Sequence, residues 1–174
     1  MKRIILITGG ERSGKSSYAE SLALSISPNP VYIATAHIWD EEFRQRVQLH
    51  KERRGPQWTS IEEEINLAGC KIEGKCAVID CVTLWLTNLI QPHLSKSGNF
   101  DVKTVLENAK SQFEEFMAQD ATFIFVTNEI GSGGVSPNPM QRRFTDLQGW
   151  MNQYIAEKAD EVYLMVSGIP VKIK

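Results

Sequence analysis

The sequence predicts an α/β domain with a central, mainly parallel sheet and helices on both of its faces. Apolar, β-rich runs recur at 2–8 (KRIILIT), 31–35 (VYIAT), 76–81 (CAVIDC), 122–127 (TFIFVT) and 161–167 (EVYLMVS), with helical stretches between them. That alternation is the signature of a parallel sheet. The runs are continuous rather than alternating, as strands read when each is buried on both sides. A chain of 174 residues with no repeat or linker is the size of one domain, so residues 1–174 are expected to share one core.

The first run follows two basic residues and continues directly into glycine-rich sequence with no small-residue cleavage pattern, so it reads as a strand rather than a leader. The next eight residues, Gly9, Gly10, Glu11, Arg12, Ser13, Gly14, Lys15 and Ser16, satisfy G-x-x-x-x-G-K-[ST] between a strand and a helical stretch. Each part has a task in holding a nucleotide. The glycines let the backbone approach phosphate oxygens, successive N–H groups and the helix N-terminus bind the anion, and Lys15 adds a point charge. The Ser16 hydroxyl is placed to hold Mg²⁺. Such a loop binds a nucleotide without naming the reaction.

After the second strand, 40–54 (DEEFRQRVQLHKERR) has helical spacing, with Phe43, Val47 and His50 on one face and Lys51, Arg53 and Arg54 just beyond. On pattern alone His50 reads either as a packed core histidine or as a reactive group. The acidic run Glu62-Glu63-Glu64 reads by itself as a solvated helix start. Asp80 closes the third apolar run, where a carboxylate serves either as a strand-end cap or as the metal-side group beside the phosphate loop.

Val102, Val105, Leu106, Ala109, Phe113, Phe116 and Met117 recur at three and four residues behind Asp101, a suitable N-cap. Asn128 and Glu129 follow the fourth strand, either as turn caps or as groups that orient substrate. The stretch 132–143 (SGGVSPNPMQRR) has loop chemistry and reads as a lid or a plain surface loop. Phe144, Leu147, Met151, Tyr154 and Ile155 then mark a helix despite Gly149. Ser167-Gly168 allows the last residues to fold back antiparallel to the fifth strand.

Nineteen basic against twenty-one acidic residues leave a net charge of −2, so there is no global basic field for nucleic acid. Apolar runs fall far short of a membrane span. Three cysteines, Cys70, Cys76 and Cys81, lack disulfide or zinc spacing and suit a reducing, cytoplasmic setting. His37 and His93 are expected to be structural, and Trp39, Trp58, Trp85 and Trp150 to be packing residues.

The joint arrangement resembles the bifunctional adenosylcobinamide kinase/adenosylcobinamide-phosphate guanylyltransferase family of cobalamin biosynthesis. GGERSGKS (9–16) is similar to that family's GGARSGKS, and YIAT (32–35), HK (50–51), TNEIG (127–131) and VSGIPVKIK (166–174) have close counterparts in the same order. The resemblance implies a three-layer, recombinase-like P-loop fold with an antiparallel final strand. It implies phosphorylation of adenosylcobinamide by ATP or GTP, then GMP transfer from GTP through a guanylyl-histidine on His50, with Lys15 as the second catalytic group. It also implies Mg²⁺ on Ser16 and Asp80, a corrinoid substrate and a homotrimer. Nucleotide contacts carry over to Gly9 through Ser16, to Ala34, Thr35 and Ala36, to Lys51, Glu52, Arg53 and Arg54, and to Glu62 and Asp80. Two positions depart from the pattern: Leu49 stands where some members have a second histidine, and Asp80 stands where some have Glu. A kinase of another small hydroxyl substrate, or a nucleotide-dependent switch without catalysis, are the alternative readings.

Overall fold

The computed structural model describes residues 2–52, 54–96 and 98–174, without the side chain of Arg46. The strands are β1 (Arg3–Gly9), β2 (Val31–Ala34), β3 (Thr59–Glu62), β4 (Cys76–Asp80), β5 (Thr122–Val126), β6 (Glu161–Val166) and β7 (Ile169–Lys172). They form one sheet in the order β3-β2-β4-β5-β1-β6-β7. Every pairing is parallel except β6 with β7. The expected parallel sheet with an antiparallel last strand is what the chain builds.

The continuous apolar runs explain the layers. Alternate residues of one strand point to opposite faces, so Ile4 and Leu6 enter one apolar cluster and Ile5 and Ile7 the other. The first cluster is closed by α3 (Val82–Ile90), α4 (Val102–Phe116) and α5 (Pro139–Lys158). The second is closed by α1 (Lys15–Ile26), through Ala19 and Ala23. Phe113, Phe116, Phe123 and Phe125 meet at the centre of the larger layer, with ring centroids 5.2 to 6.4 Å apart. The helix α2 (Glu41–Glu52) precedes the edge strand.

Asp101 caps α4 as its position suggests, its carboxylate accepting from the Lys103 and Thr104 amides. Two expectations need correction. The run at 62–64 does not start a helix: Glu62 ends β3, an edge strand paired with β2 alone. Likewise, 132–143 is not loop throughout, because Asn138 caps α5 through the Met140 and Gln141 amides and Pro139 takes its first turn. Proline there gives up an N–H that has no intrahelical partner anyway. Arg142 and Arg143 are therefore helical residues.

Candidate active site at the carboxyl edge of the sheet

Because β1, β2, β3, β4 and β5 run parallel, their carboxyl ends share one edge, where ligands of open α/β sheets bind. Gly9 ends β1, Ala34 ends β2, Glu62 ends β3 and Asp80 ends β4. The sheet thus gathers the four separated segments of the expected site.

Between β1 and α1 the chain turns through Gly9 (φ 152°), Arg12 (φ 56°) and Gly14 (φ 92°). The two glycines are fixed by crowding as well as by φ. A Cβ on Gly9 would lie 2.8 Å from the Met165 carbonyl oxygen, and one on Gly14 would lie 3.2 Å from the Gly168 Cα. The loop is held from both sides by backbone bonds: the Glu129 amide donates to the Gly9 carbonyl and the Gly168 amide to the Ser13 carbonyl, each 3.0 Å. Residues of the TNEIG and VSG stretches are thus the walls of the loop.

Lys15 is 7% exposed, and its ammonium donates to the Gly10 carbonyl at 2.5 Å and to the Ser13 hydroxyl at 3.4 Å. Burial lowers its pKa, opposed by its neighbours Cys81, Asp80 and Glu11. The nearness of Asp80 follows from topology. One strand separates β4 from β1, about 10 Å at the usual strand spacing, near enough for the Asp80 charge to be felt at Lys15. Asp80 is half-exposed, and its Oδ2 accepts from the Tyr32 hydroxyl at 2.6 Å.

The geometry of the cradle bears on Mg²⁺. The Asp80 carboxylate and the half-buried Ser16 offer hard oxygen donors, the kind this cation takes one or two of, with phosphates and water completing the shell. Among the described residues no three His, Cys, Asp or Glu side chains cluster to hold a metal by themselves. The residues present therefore fit a cation delivered with the nucleotide.

The remaining expected residues divide into two groups. Ala34 and Ala36 are partly exposed at the edge. Thr35 is fully buried, its hydroxyl donating to the Cys81 carbonyl and accepting from the Cys81 amide, both at 2.8 Å. Its side chain locks β2 to the segment after β4. His50 is half-buried on the last turn of α2 and belongs to neither apolar cluster. Lys51 and Glu62 form an ion pair that ties the end of α2 to the end of β3. Glu52 is exposed and accepts from Gln48. Arg54 has a side chain only 4% exposed, with Cζ 3.7 Å from the Tyr32 ring centre and Nη1 4.0 Å from Glu20 on α1. Arg53 lies outside the described residues.

One residue of the site escaped the sequence reading. Asn88 on α3 is 4% exposed and donates to the carbonyls of Thr35 (2.7 Å) and Glu64 (3.0 Å). It pins the segments that follow β2 and β3. A polar residue within LWLTNLI (84–90) was the available signal, since a buried amide in an apolar helix requires partners.

A phosphate loop at the end of β1, a carboxylate two strands away and a basic helix end tied to β3 define a nucleotide-binding P-loop enzyme. The comparisons narrow the class. Residues 5–173 match the family model described as cobinamide kinase / cobinamide phosphate guanyltransferase. The chain is 37% identical to the bifunctional adenosylcobalamin biosynthesis protein CobP of Pseudomonas aeruginosa, over 97% of this chain and 96% of that one. It is 35% identical to the corresponding CobU of Escherichia coli K12, over 98% and 99%. The protein belongs to the cobinamide kinase / cobinamide phosphate guanyltransferase family of bifunctional enzymes. Among solved structures, a KaiC-like protein from Pyrococcus horikoshii aligns over 93% of this chain and 70% of its own at 14% identity and a TM-score of 0.48. No helix among the described residues is long and apolar enough to cross a membrane.

Proposed function

We propose that this chain, acting as one catalytic unit, phosphorylates adenosylcobinamide with ATP or GTP and then converts the product to adenosylcobinamide-GDP with GTP. The observation that supports this most is the gathering of the phosphate loop and Asp80 on one edge of one sheet, with Lys51, the neighbour of His50, paired to Glu62 at the end of β3 on that edge.

In the first reaction the hydroxyl oxygen of the aminopropanol arm attacks the γ-phosphorus, the bond to the β-phosphate bridging oxygen breaks, and the nucleoside diphosphate leaves. The hydroxyl proton passes to solvent or to a carboxylate at the edge. Lys15 and the loop N–H groups hold the transferred charge in place. Ser16 and Asp80 would hold an Mg²⁺ brought in with the nucleotide, which would supply charge neutralisation.

In the second reaction a nitrogen of neutral His50 attacks the α-phosphorus of GTP and pyrophosphate departs, leaving GMP on the ring. An oxygen of the corrinoid phosphate then attacks the same phosphorus and breaks the P–N bond, restoring the imidazole. Two moderate steps replace one difficult displacement. Lys51 and Arg54 are the described cations nearest in sequence, and either stabilises the charged phosphorus on release from its present partner. The three cysteines are free and buried, which suits a cytoplasmic enzyme, and a homotrimer is the assembly the family resemblance supports.

Mass spectrometry of protein treated with GTP and Mg²⁺ tests the reading. A GMP adduct on the peptide containing His50, discharged by adenosylcobinamide phosphate and absent in His50→Asn, is the expected result. A protein that still forms adenosylcobinamide-GDP with no adduct would reject the covalent route.

A further inference from the structure

Tyr32 has no place in the reactions above, yet its hydroxyl donates to the Asp80 carboxylate. Its ring is 4% exposed within the α1-side apolar cluster, edge-on to Trp58 at 6.0 Å between centroids. Packing alone is satisfied there by phenylalanine. A phenol that deep requires a partner for its O–H, and the partner is Asp80 Oδ2 at 2.6 Å, the short distance of a hydrogen bond to an ionised carboxylate. The bond engages Oδ2 and restrains the carboxylate about its terminal torsion.

The phenol is itself held. The Arg54 Cζ lies over its ring, 3.7 Å from the centre, with Nη1 4.0 Å from Glu20 of α1.

We propose that Tyr32 is a positioning residue whose hydroxyl fixes the Asp80 carboxylate in the orientation that receives the nucleotide-borne divalent cation, with Arg54 stacked on its ring to fix the phenol. This rests on Asp80 being the metal-side carboxylate, and the experiment separates the two ideas. The same logic operates in metal sites generally, where groups hydrogen-bonded to a ligand orient it and their loss weakens metal binding by 10- to 100-fold.

The test uses Mn²⁺ as a paramagnetic stand-in, titrated into the full chain with a non-hydrolysable GTP analogue and read by EPR, beside analogue binding in EDTA. Parent, Tyr32→Phe and Asp80→Asn are compared, each checked for an unchanged circular dichroism spectrum. Expected are an Mn²⁺ dissociation constant raised about tenfold in Tyr32→Phe, a rise at least as large in Asp80→Asn, and analogue affinity in EDTA within twofold of the parent for Tyr32→Phe. If Asp80→Asn weakens Mn²⁺ and Tyr32→Phe does not, the positioning role is wrong while the metal role of Asp80 stands. If Asp80→Asn changes nothing, the metal reading fails and takes the proposal with it. If Tyr32→Phe weakens the analogue equally in EDTA, the hydroxyl supports general packing of the pocket and the proposal is overturned.

Discussion

Replacing Asn88 with alanine removes both N–H bonds that its amide makes, to the Thr35 carbonyl at 2.7 Å and the Glu64 carbonyl at 3.0 Å. The residue is 4% exposed, so water does not readily replace what is lost. An unsatisfied buried carbonyl costs about 1–3 kcal/mol; two of them, partly relieved by relaxation of the Glu64 side, give about 3 kcal/mol. In a chain of this length that is a fall in Tm of roughly 6–12 °C. Guanidinium unfolding followed by tryptophan fluorescence checks the value: the midpoint should drop while the slope stays constant, because the surface exposed on unfolding does not change. Asn88→Leu should be no better than alanine, since shape without donors leaves both carbonyls orphaned. A loss below about 0.5 kcal/mol in either variant, the range of an ordinary surface change, would refute the argument that this amide pins the site.

Gly9→Ala should cost about 2–4 kcal/mol in unfolding free energy, from an unfavourable φ and a Cβ 2.8 Å from the Met165 carbonyl, and should abolish nucleotide binding in a fluorescent-GTP titration. Lys15→Ala should remove kinase turnover by at least a hundredfold in a coupled assay, as expected for loss of a charge that holds the transferring group. Glu161 accepts hydrogen bonds from Lys172 (2.8 Å), Tyr163 (2.6 Å) and Arg3, and these donors hold its carboxyl down from 4.5 to about 2. Because the folded value lies below the unfolded one, its stabilisation is complete above about pH 4.5 and drains away as pH falls toward 2. With Arg3 and Lys172 partly exposed, the effect is on the order of 1 kcal/mol. Denaturant melts should therefore show Glu161→Gln less stable than the parent at pH 7 and nearly equal to it near pH 2.5.

The parts of this molecule that were legible beforehand carry their signal locally. Continuous apolar runs announced β1, β2, β4, β5 and β6, and the Asp101 cap with its three-and-four spacing announced α4. The edge strand β3 was not legible because Thr59, Ser60 and Glu62 surround a single apolar residue, Ile61. Pairing on one side only asks little of hydrophobicity, and a run of glutamates hid what was left. The start of α5 was obscured by its own capping residues, since Asn138-Pro139 reads equally as turn chemistry and as a helix entry. At the site, the phosphate loop and the end of β4 were visible as motifs. The contacts among Tyr32, Arg54 and Glu20, and those of Thr35 with Cys81 and Asn88, join residues far apart in sequence. No local pattern encodes who meets whom across a sheet edge.

The bond from the Gly168 amide to Ser13, and the pairing of β1 with β6, give the order of synthesis a meaning. A growing polypeptide presents GGERSGKS long before it presents the wall against which that segment is shaped. A chain cut short before residue 168 lacks the amide that closes one side of the anion grip.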